Sequence, residues 1–104
     1  MKSIGLALKL RPNCYAEYKR RHDELWPELA EVLRANDINM VIYHMGDYLF
    51  IHETGPSDEA FDRVSGHPQN ALWNKYMAEV LETDGSGKPI HEKMPLAFAL
   101  GDFI

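Results

Sequence analysis

The chain has 104 residues, enough for one domain with its own core and too few for two. Its 45% apolar and 11% aromatic content excludes wholesale disorder, and a formal net charge of −5 argues against nucleic acid or an anionic membrane surface as partner. A single cysteine, Cys14, rules out an internal disulfide or a Cys-rich zinc site, and the opening MKSIGLALKLRPN is too interrupted by charge for a signal peptide, so a cytoplasmic protein is expected.

From the N-terminus, Ile4, Leu6, Leu8 and Leu10 alternate with small or polar residues, which predicts a half-buried strand from Lys2 to Leu10. Asn13 then reads as a helix N-cap, and Tyr15, Tyr18, His22, Trp26, Leu29 and Leu33 recur every three or four residues as one helical stripe. Pro27 removes a backbone donor, so the helix is expected to break near Asp23 to Trp26 and resume to about Ala35.

Ile38 to Met45 and Tyr48 to Glu53 read as strands of a hairpin turned at Gly46-Asp47. A two-residue turn there places His52 opposite Val41 and His44 opposite Leu49, so these histidines leave the sheet on opposite faces. Ser57 is placed to cap a helix from Asp58 to Val64. Pro68 is suited to the first position of a longer helix from Gln69 to Leu81, whose inner face carries Leu72, Tyr76, Met77 and Val80. Glu82 to Pro89 reads as a flexible loop, and the alternation of Leu96, Phe98 and Leu100 with alanine as a last strand.

The order βαββαβ predicts an α+β domain over 1–104 with the ferredoxin-like split arrangement, four antiparallel strands under one layer of helices. The hairpin carries apolar residues on both parities, Met40, Ile42 and Ile51 on one and Val41, Tyr43 and Phe50 on the other. One helical layer covers only one face. A homodimer, or a cavity closed by a second subunit, is therefore expected.

Tyr18 and His22 lie one helical turn apart and face a common volume, with an imidazole able to exchange a proton near neutrality. Taken alone, the pair is more simply read as a partly exposed helix-end histidine beside Arg20 and Arg21. Trp73 and Asn74 could offer a stacking surface and an amide to a sugar, although spacing alone favours an ordinary core tryptophan beside a solvated asparagine. His44, His52, His67 and His91 show no metal-ligand spacing, Cys14 has no telling histidine partner, and Gly85-Ser86-Gly87-Lys88 is no phosphate loop, so neither metal nor cofactor is expected.

The string Tyr18-Lys19-Arg20-Arg21-His22 followed by Leu25-Trp26-Pro27-Glu28-Leu29 resembles the L-rhamnose mutarotase family, and so do Ile42-Tyr43 and Trp73 to Met77. The resemblance runs nearly end to end. It implies a dimeric α+β barrel, a proton-donor role for His22 and sugar binding by Tyr18, with Trp73 keeping the first of two tryptophan positions. Where the rhamnose enzymes carry a sugar-contacting tyrosine this chain has Met40, and where they carry a second tryptophan it has Asn74. The implied reaction is exchange of the α and β anomers of a 6-deoxy-L-hexose, L-fucose or L-rhamnose, without a cofactor. Alternatives are a cofactor-free monooxygenase or a haem-degrading member of the same barrel class, with His22 or His67 as axial ligand, and a non-catalytic sugar-binding dimer.

Overall fold

The computed structural model describes residues 1–103. The strands are β1 (Lys2–Lys9), β2 (Asn39–Met45), β3 (Tyr48–Gly55) and β4 (Glu92–Met94); the helices are α1 (Tyr15–Asp23), α2 (Pro27–Ala35), α3 (Asp58–Ser65) and α4 (Pro68–Met77). The strands form one antiparallel sheet in the order β2-β3-β1-β4, the ferredoxin-like arrangement that the element order predicts.

Local chemistry explains most boundaries. Gly46 has a φ of 61°, as a glycine-first two-residue hairpin turn requires, and the register pairs Val41 with His52 and His44 with Leu49. Helix α1 stops at Asp23, and Pro27 opens α2 where no backbone donor is lost. The Ser57 hydroxyl accepts from the Ala60 amide at 3.3 Å, and His67 Nδ1 accepts from the Gln69 amide at 3.1 Å, capping α3 and α4.

Five expectations need correction. Asn13 is not the N-cap: it sits at a φ of 60°, a left-handed conformation asparagine tolerates, and Cys14 takes the cap position. Helix α4 ends at Met77, because Val80 and Leu81 turn inward and Leu81 bridges Leu10. Leu72 is 54% exposed, and the buried side of α4 carries Trp73 and Met77 instead. The last strand is Glu92–Met94, beside Gly5 to Ala7, while Leu96, Phe98 and Leu100 lie exposed beyond it. Pro95 has no amide to continue the ladder, so alternation alone does not extend the strand. Nor is 82–89 a slack loop: Thr83 bridges Pro89, and Asp84 Oδ1 accepts from the Ser86 and Lys88 amides.

The helices cover the sheet face of Ile4, Leu6, Leu8, Leu49 and Ile51, where a large apolar cluster gathers around Leu49, Trp73 and Met77 and a smaller one around Ile38, Ala60 and Phe61. On the opposite face Val41, Tyr43, Met45 and Tyr48 stay between 40% and 71% exposed. Leu49, 1% exposed, anchors the large cluster. Leu49→Ala is expected to cost about 2–5 kcal/mol and Leu72→Ala about 0.5 kcal/mol or less, read as urea midpoints of the two variants.

Candidate active site

Between the two apolar clusters the sheet and helices leave a cavity of about 420 Å³, lined by Ile38 and Phe61 on one side and Leu8, Trp73 and Met77 on the other. That volume lies within the roughly 300–1,000 Å³ usual for small-molecule sites. Helix α1 contributes Tyr18 and His22, β2 contributes Met40, and α4 contributes Trp73 and Asn74. All five residues singled out in the sequence thus converge on one space. Trp73 is a core tryptophan, as the plainer reading has it, and it lines the cavity as well; Asn74 is half-buried beside the cavity rather than fully solvated.

The aromatic packing is continuous. His22 lies between Tyr18 and Trp73, with ring-centroid separations of 4.8 and 5.2 Å, and meets Trp73 nearly edge-on at 78°. Trp26 backs Trp73 from α2's N-terminus at 5.1 Å, also edge-on, and Tyr76 closes the group. These rings pack around the imidazole and limit its freedom to turn. Burial holds the His22 pKa down to about 4, so the ring is neutral at pH 7 and its first proton movement there is acceptance.

Tyr18 is 3% exposed, and its hydroxyl is buried with no hydrogen-bond partner among the described residues. Burial also pushes its pKa upward, keeping the phenol protonated. A buried hydroxyl left unpaired costs about 1–3 kcal/mol, a cost that a ligand hydroxyl in the cavity would offset.

Arg21, next to His22, fixes the helix that carries it. Its Nε meets Glu17 Oε2 at 2.7 Å, its Nη1 donates to the Tyr76 carbonyl at 2.7 Å and lies 2.9 Å from Glu79, and the guanidinium stands 4.0 Å from the Tyr76 ring centroid. This clamp ties α1 to the end of α4, and so His22 to Trp73.

The other histidines separate. His44 stacks on Tyr15 at 3.6 Å, His52 lies on the opposite sheet face near Phe103, and His67 is occupied as a helix cap. Among the described residues no three His, Cys, Asp or Glu side chains gather as a metal ion would need. Sequence reasoning missed Glu53, Asn70, His91 and Lys93, which also line the cavity. Glu53 was within reach, because the hairpin register pairs it with Met40; Asn70 stands one turn before Asn74.

The sequence model described as L-rhamnose mutarotase matches residues 3–100. The chain belongs to the L-rhamnose mutarotase family. The L-rhamnose mutarotase of Burkholderia orbicola is 32% identical over 103 residues, covering 96% of this chain and 99% of that protein. That of Rhizobium johnstonii is 33% identical over 94 residues, covering 88% and 89%. The crystal structure of an L-rhamnose mutarotase from Formosa agariphila matches the fold with a TM-score of 0.82 at 23% identity, covering 97% of this chain and all of that one. Membership makes this chain a sugar mutarotase of the isomerase class.

Tyr18→Phe removes the unpaired hydroxyl and keeps the ring. It is expected to stabilise the free protein by about 1 kcal/mol, seen as a raised melting temperature without ligand.

Proposed function

We propose that this mutarotase interconverts the α and β anomers of a 6-deoxy-L-hexose, with L-fucose preferred over L-rhamnose, in the cytoplasm and as a homodimer. The observation that carries the reading is the convergence of His22, the unpaired Tyr18 hydroxyl and Trp73 on one cavity. Anomer exchange needs a proton removed from the anomeric hydroxyl and another delivered to the ring oxygen. The ring opens to the aldehyde, rotates about C1–C2 and recloses on its other face. No redox step or covalent enzyme intermediate is required, and general acid–base groups supplying about 10²- to 10⁴-fold each suffice.

Neutral His22 takes the proton of the anomeric hydroxyl as the ring opens and returns it to the carbonyl oxygen as the ring closes. Its role as proton donor belongs to that second half. Tyr18 bonds a sugar hydroxyl, and Trp73 packs on the apolar sugar face or the 6-methyl group. Met40 offers bulk without a hydrogen bond, and Asn74 offers a donor and an acceptor, so together they select the hydroxyl configuration. These two positions are the basis for L-fucose.

The dimer rests on apolar surface. Tyr43 and Met45 on the uncovered sheet face are 64% and 71% exposed, and Phe98 and Leu100 of the C-terminal segment exceed these at 80% and 82%.

Two-dimensional exchange NMR on anomer mixtures tests the chemistry. His22→Asn is expected to lower the catalysed rate at least about 100-fold with the fold retained. Wild-type exchange of L-fucose should exceed that of L-rhamnose, and a strong preference for rhamnose would overturn the assignment of Met40 and Asn74. By sedimentation velocity the wild type should run as a dimer and Tyr43→Glu as a smaller species; a monomeric wild type contradicts the assembly.

A further inference from the structure

His22 alone leaves one proton unassigned, the one delivered to the ring oxygen when the C1–O5 bond breaks. The cavity has two walls, the helices above and the sheet below, and His22 belongs to the helical wall. On the sheet wall the central strand β3 presents Glu53, paired with Ile4 on one side and Met40 on the other. Ile4 and Met40 also line the cavity, so the carboxyl rises from an apolar floor.

We propose that Glu53 is the second catalytic group of the mutarotase, transferring a proton to and from the sugar ring oxygen while His22 serves the anomeric oxygen. The inference rests on the mutarotase reading above and supplies the partner that reading requires. In opening, the O1–H bonding pair becomes the carbonyl π bond as His22 takes the proton. The C1–O5 pair goes to O5, which takes the proton of the Glu53 carboxylic acid. The products are the hydroxy-aldehyde, an imidazolium and a carboxylate, and closure on the other face reverses each transfer. No other reactant is consumed.

The surroundings favour these starting states. The titratable groups that share the cavity with Glu53 are Tyr18 and His22 from α1, Asp62 from α3, Lys93 from β4 and His91 from the segment before it. Burial raises the Glu53 pKa above its ordinary value, and Lys93, though it lines the same cavity, forms no ion pair with it. The same burial that neutralises His22 therefore protonates a larger share of Glu53. Two titratable groups whose environments push them apart form an acid and a base in one site.

The test measures kcat and KM for anomer exchange of L-fucose and L-rhamnose across pH in wild type, Glu53→Gln and Glu53→Asp, with thermal melting of each. The wild-type kcat should fall on the acid side, where His22 becomes protonated, and on the alkaline side, where Glu53 ionises. Glu53→Gln should lose about 100-fold in kcat with KM changed less than about threefold, and should lose the alkaline limb. Glu53→Asp should keep that limb at an intermediate rate. A Glu53→Gln enzyme with wild-type kcat, or a wild-type profile without an alkaline limb, overturns the proposal for Glu53 and leaves the mutarotase reading intact. Failure of the wild type to exchange either sugar overturns both.

Discussion

The Arg21 guanidinium holds the site together. Its donors reach Glu17 on its own helix, the Tyr76 carbonyl and Glu79 beside the end of α4, while its plane lies against the Tyr76 ring. A lysine in its place would keep the charge and lose the fork that serves several acceptors at once. Two helices that share no strand and little sequence proximity are thereby set at one separation. The imidazole from one and the indole from the other meet at that separation, and the Y-x-R-R-H string carries the clamp and the imidazole together.

The division of the core into two apolar clusters is the second constraint. A merged core would have filled the space beneath the helices; here Ile38 and Phe61 pack apart from Trp73 and Met77 and leave a pocket between. Low dielectric then acts on whatever ionisable groups line it. It discharges the imidazole and opposes ionisation of the Glu53 carboxyl. The unpaired Tyr18 hydroxyl is part of the same arrangement, a polar contact left for the ligand at some expense of stability.

Much of this was legible in the chain. Alternation located β1, the Gly46-Asp47 turn set the hairpin register, and Pro27 and Pro68 marked helix starts. Helical spacing and family motif coincide on Tyr18 and His22, the motif points to Trp73, and Met40 and Asn74 stand out as departures from it; the cavity brings these five candidates together. The errors have physical reasons. Leu72 is apolar but sits on the outer side of α4, and its orientation depends on which residues the sheet receives, not on its own hydrophobicity. Leu96, Phe98 and Leu100 alternate like a strand, but Pro95 and the position of β4 leave them without a ladder. Glu53 escaped notice because a carboxylate at a strand end ordinarily faces water; only the helices packed over that face make it part of an interior.

The chain has two tryptophans, and both belong to this one region: Trp73 lines the cavity, and Trp26 abuts it edge-on. The indole emission of the molecule therefore has a single origin. It comes from a pair of rings of which one, Trp73, lies against His22, a neighbour that quenches more strongly as an imidazolium than as the free base. The protein carries its own optical gauge of the charge on His22, with no label attached and no indole signal from elsewhere in the fold to subtract.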